Sequence, residues 1–151
     1  MTWEDDELAQ YEKSRARARE GDKLSSQREQ LLDNQQAHKW NVLREAFTKR
    51  CASINAKAGR QILRSVDPQT SHLEIRREDS EKLEGLYDSG IRTVTFSCDV
   101  PPFIERRYEL SVRPTSGNDA CVWIDLQTKE VEKSDDIATS ILGNFLRAGM
   151  F

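Results

Sequence analysis

The stretch from residue 40 to residue 58, WNVLREAFTKRCASINAKA, decides the fold. Its apolar residues step by 3, 4, 4, 3 and 4 positions, the period of one helix face; they are Trp40, Leu43, Phe47, Cys51, Ile54 and Ala58. Short alternating runs of β-forming residues begin directly behind it, at Ile62. The sequence therefore predicts a helix with one buried side, followed by a sheet that covers that side.

The predicted sheet lies between Gly59, a natural helix end, and residue 126. Alternating apolar residues predict five strands, at 61–66, 72–76, 91–99, 104–113 and 120–126. Turns are predicted at 67–70 and 116–119 because these stretches are rich in Pro, Gly, Asp and Asn. Residues 80–88 are predicted to form one or two helical turns, with Leu83 and Tyr87 directed inward. In the last strand Val122 and Ile124 are expected to face the core, and Trp123 therefore to face outward or to lie under another element.

A last helix is predicted to begin at Ser134, whose hydroxyl can cap it, and to stop at Gly149. Its buried side is expected to comprise Ile137, Ile141, Leu142, Phe145 and Leu146. The final residues, Met150 and Phe151, are expected to pack against this helix.

Together these elements predict an α+β fold. It has a long N-terminal helix, a four- to five-stranded and mostly antiparallel sheet, and a C-terminal helix, with the helices packed on one sheet face. The short connections favour hairpins over parallel crossovers. Two parts are expected, a polar helical extension over residues 1–39 and a compact α+β domain over residues 40–151.

The extension is polar but retains a few large apolar residues. A helix over 2–20 is predicted from the Thr2 cap, with Asp5 three residues on. Gly21 weakens the helical pattern, which resumes near Lys23 and runs to Ala58. Such a helix buries too little surface to be stable alone, so it needs its own domain, a twin subunit or a partner. The candidate partner-binding residues are Trp3, Leu8, Tyr11, Leu24 and Leu31.

Charge and cysteine usage limit the classes of partner. Residues 1–59 hold 11 basic and 10 acidic side chains, and the whole chain has a net charge of −3. Without a strongly basic segment, nucleic acid and anionic lipid gain no bulk attraction. The chain has 3 cysteines, an odd number, and no C-x-x-C pair, which favours a reducing compartment. We therefore expect a cytoplasmic protein with no membrane segment and no nucleic-acid partner.

The search for reactive residues yields no ordered set. His38 and His72 lie on different predicted elements, without further ligands at metal-binding spacing. Cys98 and Cys121 fall on predicted strands, where thiols are usually inert packing. Neither G-x-x-x-x-G-K nor G-x-G-x-x-G occurs, so no phosphate-binding loop is indicated. No cofactor and no metal are expected, and an interaction protein is favoured over an enzyme.

Arginines form two groups that need an explanation. Lys13, Arg15, Arg17 and Arg19 alternate within the extension, where a solvated face is favoured over a contact with RNA or DNA phosphate. Further arginines lie on the predicted strands, at Arg64, Arg76, Arg92, Arg106 and Arg113. Pairing with Glu74, Glu105 and Glu109 on neighbouring strands is favoured there over binding an anion.

Two functions remain open. The leading hypothesis is a non-enzymatic protein-protein interaction module whose extension docks on another chain or on its own copy. The alternative is a small-molecule or anion-binding domain, with a pocket at the open end of the sheet that could also serve an enzyme. Its candidate ligand-binding residues are Arg92, Arg106, Tyr108 and Trp123.

Overall fold

The computed structural model describes residues 2–66, 71–115 and 118–149. This part of the chain contains two helices, α1 (Trp3–Ala58) and α2 (Ser134–Arg147). It also contains seven strands: β1 (Leu63–Val66), β2 (His72–Arg77), β3 (Lys82–Asp88), β4 (Thr93–Cys98), β5 (Arg106–Thr115), β6 (Asn118–Asp125) and β7 (Val131–Glu132). The mixture of helix and antiparallel sheet is confirmed, but the expected four to five strands are too few. The predicted turn at 67–70, the Ser116-Gly117 part of the second turn, and the packing of Met150 and Phe151 lie outside the described residues.

Two compact units make up the described chain, one ending at Asn34 and one beginning at Gln35. The first consists of the N-terminal part of α1. The second contains the remainder of α1, the sheet and α2. Independent folding of residues 40–151 stays a prediction.

The start of α1 shows the Asp5 half of the expected capping box. The Thr2 hydroxyl donates to Asp5 Oδ2 at 3.0 Å, and the Thr2 backbone N–H reaches the same oxygen at 3.4 Å. Acidic residues in the first turn also suit the positive end of the helix dipole. The expected interruption at Gly21 is wrong, because α1 passes through it as regular helix. One glycine costs only about 1 kcal/mol, which good helix formers on both sides can absorb.

The sheet is an antiparallel meander in which each strand pairs with the next along the chain. Register identifies its inward face. Leu73 lies opposite Gly85, and Gly85 lies opposite Phe96. On the same face, Tyr87, Val94 and Tyr108 align across the next pairs of strands.

The second unit's part of α1 packs on this inward face through aromatic rings. Trp40 stacks on Tyr87 with 5.4 Å between ring centroids, and Phe47 stacks on Phe96 at 5.1 Å. Near its end the helix also holds the first strand. Asn55 Oδ1 accepts from the backbone N–H of Ile62 and Leu63 at 2.8 and 2.9 Å. Its amide nitrogen donates to the Leu63 carbonyl at 2.8 Å.

The helix α2 contacts the same face of the sheet. Arg77 of β2 donates to the carbonyls of Phe145 and Ala148 at 2.6 and 2.7 Å. The buried side of α2 is formed by Ile137, Ala138, Ile141, Leu142 and Phe145. Leu146 is only half-buried, and Ser134 is not the cap, because Lys133 occupies that position without a side-chain hydrogen bond.

Residues 82–88 form strand β3 and not the expected helical turns. Leu83 and Tyr87 are buried as expected, but as alternate residues of a strand whose middle inward position is Gly85. A Cβ at Gly85 would lie 2.9 Å from the Phe96 ring, so the ring fills the space that a side chain would need. A glycine at the inward position hides the period of two and leaves a spacing of four, which is typical of a helix.

The two faces of β6 are reversed relative to the prediction. Its inward residues are Cys121, Trp123 and Asp125, and Trp123 is 2% exposed. Its ring meets that of Tyr87 edge-on at 6.1 Å. Ile124, on the opposite face, is also buried, so the strand has apolar residues on both faces and alternation could not assign them.

Candidate functional site

The N-terminal unit presents a helix whose side chains are all exposed from Thr2 to Gln30. Four of the five predicted partner-binding residues lie in this range, with exposed fractions of 73% for Trp3, 57% for Leu8, 58% for Tyr11 and 54% for Leu24. Leu31 is half-buried. When another surface covers large apolar side chains on such a helix, the free energy of the system falls.

The exposed apolar residues do not lie on a single side of the helix. Leu8 and Tyr11 are three residues apart and neighbour each other, and Trp3 lies on the same half of the circumference. Leu24 follows Tyr11 by about 3.6 turns of helix, which places it on the other side. The three N-terminal residues Trp3, Leu8 and Tyr11 therefore form the candidate docking face.

Tyr11 is also in contact with a cation. The guanidinium carbon of Arg15 lies 5.9 Å from the Tyr11 ring centroid, and Arg15 Nη1 donates to the tyrosine hydroxyl at 3.4 Å. Tyr11 and Arg15 are one helical turn apart, so this contact is local. It places a positive charge beside the apolar face.

The thiols of the second unit are poor nucleophiles. Burial raises the pKa of Cys51 to about 11. Burial is also the main cause of the raised pKa values of Cys98 and Cys121. A thiol is reactive as its thiolate, so these three thiols are suited to packing at neutral pH.

In the described ranges, no three side chains of His, Cys, Asp or Glu come close enough together to hold a metal ion. Neither α1 nor α2 contains a stretch that is both long and apolar enough to cross a lipid bilayer.

A cleft of about 360 Å³ lies beside α2, and one of the predicted ligand-binding residues, Arg106, lines it. Arg106 Nη2 donates to Asp125 Oδ2 at 2.7 Å, and Arg106 Nη1 reaches Ser140 at 3.4 Å. Asp125 Oδ1 accepts from the Gln127 backbone N–H at 2.8 Å. Burial opposes ionisation of Asp125, but these hydrogen bonds leave its pKa below the usual value. These contacts within the fold indicate a structural ion pair.

The other predicted ligand-binding residues do not line this cleft. Tyr108 is completely buried beneath Arg106, whose guanidinium carbon lies 5.6 Å from the ring centroid. Burial is the main cause of a raised pKa for the Tyr108 hydroxyl. Trp123 belongs to the aromatic core, and Arg92 is half-buried in the turn before β4 with a φ of 52°. Of the four predicted ligand-binding residues, Arg106 and Tyr108 are in direct contact.

A second polar cleft, of about 330 Å³, contains two arginines that the sequence could not place side by side. Arg64 of β1 lies directly opposite Arg76 of β2 on the outward sheet face, and both line the cleft. Arg76 Nε contacts Glu74 at 3.2 Å. Like charges directly opposite each other destabilise a sheet. The register of β1 and β2 places the two arginines opposite each other, and the sequence alone did not establish that register.

Comparison of the chain with protein families, with curated proteins and with solved structures finds no match.

Proposed function

We propose that this protein is a non-enzymatic interaction module that docks on another protein chain through the N-terminal part of α1. The observation that carries the proposal is the exposure of every residue from Thr2 to Gln30, including Trp3, Leu8 and Tyr11, within regular helix. A partner or a second copy of the chain would cover this surface.

The energetics of the helix support a docking role. A helix in a protein owes most of its stability to tertiary packing of an apolar face. The N-terminal unit has no buried residue between Thr2 and Gln30. Burying a large apolar side chain contributes about 1.5–3 kcal/mol, and Trp and Tyr are frequent hot spots of protein interfaces. Docking would therefore stabilise the helix and supply affinity at the same time.

Replacing Trp3, Leu8 and Tyr11 together by alanine is expected to abolish docking without loss of the fold. The measurement compares the full-length chain with this variant by light scattering for self-association and by retention of partner proteins on the immobilised chain. The matched control, Lys23→Ala with Gln27→Ala and Gln30→Ala, changes exposed polar residues of the same unit and should leave docking unchanged. A wild-type chain that neither self-associates nor retains a partner would show the proposal to be wrong.

The second candidate function is binding of a small anion on the outward sheet face, and Arg64 and Arg76 favour it. Two guanidinium groups facing each other across adjacent strands could share one phosphate or carboxylate group, which would remove their repulsion. Nearby Glu78 already accepts a bidentate contact from Arg60, with both distances at 3.1 Å. The Glu78 carboxylate therefore neutralises little of the positive charge of Arg64.

If this cleft binds anions, phosphate should raise the melting temperature of the wild-type chain more than chloride does at equal ionic strength. Each kcal/mol of stabilisation corresponds to about 2–4 °C for a chain of this size. Arg64→Gln should remove the difference. Arg107→Gln is the matched control, because Arg107 is exposed and contacts Glu105 at 3.6 Å. An equal phosphate effect in all three proteins would indicate general salt stabilisation and would exclude the site.

A further inference from the structure

The exposed part of α1 carries two blocks of opposite charge on either side of Tyr11. The acidic block consists of Glu4, Asp5, Asp6 and Glu7, and the basic block consists of Lys13, Arg15, Arg17 and Arg19. Every one of these side chains is exposed. Tyr11 stands almost midway between the two blocks.

Pairing within the helix does not neutralise the acidic block. Ion pairs on one helix need a basic residue three or four positions away. The positions three or four residues after the acidic block hold Glu7, Leu8, Ala9, Gln10 and Tyr11, none of them basic. The helix dipole favours these acids but provides no cationic partner. The basic block has Glu12, Glu20 and Asp22 close by, so the acidic block has the greater need of external positive charge.

We propose that the partner on this helix is a second copy of the chain, bound antiparallel, with the two Tyr11 residues meeting at the two-fold axis. The inference rests on the proposed docking function and specifies its occupant. In the antiparallel arrangement the acidic block of each copy lies beside the basic block of the other. A parallel arrangement would place like blocks together, which is unfavourable.

The same arrangement accounts for the apolar residues. Glu4, Glu7, Tyr11, Arg15 and Ala18 step by 3, 4, 4 and 3 positions and so follow one helix face. Rotation about the two-fold axis at Tyr11 brings Glu7 of one copy level with Arg15 of the other. Leu8 of one copy is then level along the helices with Ser14 of the other, and Trp3 is level with Ala18 and Arg19.

The small side chains of Ser14 and Ala18 leave room for Leu8 and Trp3. One aromatic ring of the face already has a cation, because the Arg15 guanidinium lies on Tyr11. The overlap runs from residue 3 to residue 19 of each copy, about 25 Å of helix. An interface related by a two-fold axis repeats every contact twice, which doubles the effect of each residue.

Reversal of two charges within one block of the full-length chain tests the pairing. Glu4→Lys with Glu7→Lys cancels the net charge of the acidic block, and Arg15→Glu with Arg19→Glu cancels that of the basic block. Sedimentation equilibrium should show a wild-type dimer and at least a tenfold weaker dimer for each variant, whereas an equimolar mixture of the two variants should again form dimers. The control Lys23→Glu with Arg28→Glu reverses two charges outside the overlap and should leave dimerisation unchanged.

Cysteine crosslinking distinguishes the orientation. Glu4→Cys and Ala18→Cys are made in separate full-length chains, and helix content is checked by circular dichroism. In the antiparallel arrangement a disulfide forms when the two variants are mixed, and Glu4→Cys alone does not crosslink to itself.

Three results would overturn the inference. Self-crosslinking of Glu4→Cys, or dimers that ignore both charge reversals, would refute the antiparallel pairing while docking through Trp3, Leu8 and Tyr11 stands. A monomeric wild-type chain that still retains a partner protein through these three residues would refute the second copy as occupant and leave the proposed function intact.

Discussion

Replacement of Phe47 by alanine is expected to lower the free energy of unfolding by about 3–5 kcal/mol. Phe47 has no exposed surface, and its ring stacks on Phe96 of β4. Phe96 in turn meets Tyr108 edge-on at 6.0 Å, so the cavity left by Phe47 would open in the middle of the aromatic core. Close packing of such cores prevents full relaxation around a missing ring.

Urea denaturation measures this loss, and Lys49→Ala is the matched control. Lys49 lies two residues further along the same helix and is exposed, so its replacement should change the free energy of unfolding by less than about 0.5 kcal/mol. A loss below about 1 kcal/mol for Phe47→Ala would contradict the packing of α1 on the inward sheet face.

Replacement of Arg77 by methionine is expected to cost about 2–4 kcal/mol. The side chain is 4% exposed, and its guanidinium donates to the carbonyls of Phe145 and Ala148, in the last turn of α2 and at its C-cap. Its guanidinium carbon also lies 5.3 Å from the Phe145 ring centroid. Methionine keeps much of the length and apolar character of the side chain but leaves both buried carbonyls without this donor.

Two variants separate the carbonyl contacts from the ion pair of Arg77. Arg77 Nη2 also contacts Asp79 Oδ2 at 2.6 Å, but Asp79 is half-exposed. Asp79→Asn should therefore cost less than about 1 kcal/mol. Arg107→Met, at an exposed arginine, is the control for loss of charge. Equal and small losses in all three variants would show that Arg77 does not anchor α2 to the sheet.

Much of the architecture follows from local sequence patterns. The stripe from Trp40 to Cys51 predicted the buried side of α1, because its period of 3.6 is sustained over several turns. The strand around Val94 and Phe96 was equally clear, with apolar and hydroxyl residues in strict alternation. The last helix was predicted by spacing and by the acids in its first turn.

The wrong predictions concern strands whose period of two is not visible in the sequence. Gly85 concealed a strand because the space above it is filled by Phe96 from the neighbouring strand. Trp123 was assigned to the wrong face because both sides of β6 are apolar. The two-residue strand β7 has too little sequence to show any period.

For the candidate site, the sequence pointed to the apolar residues of the extension. It did not show that Arg64 and Arg76 lie opposite each other on the sheet. Trp3, Leu8 and Tyr11 were recognised because few large apolar residues occur in an otherwise polar segment. The facing of Arg64 and Arg76 depends on strand register, which side-chain pattern and turn geometry set together. Ligand binding by Arg106 stays a prediction. Its buried partner Asp125 was not anticipated, because the faces of β6 were assigned the wrong way round.

Amide hydrogen exchange of residues 3–34 at increasing protein concentration reports on docking of the second copy, since that copy must protect the helix that it covers. We expect these amides to exchange rapidly in dilute solution. Protection between residues 3 and 19 should then rise as the dimer forms, while the amides of α2 keep the same protection throughout. Protection of residues 3–19 that is equal at all concentrations, or absent even in concentrated solution, would contradict the account.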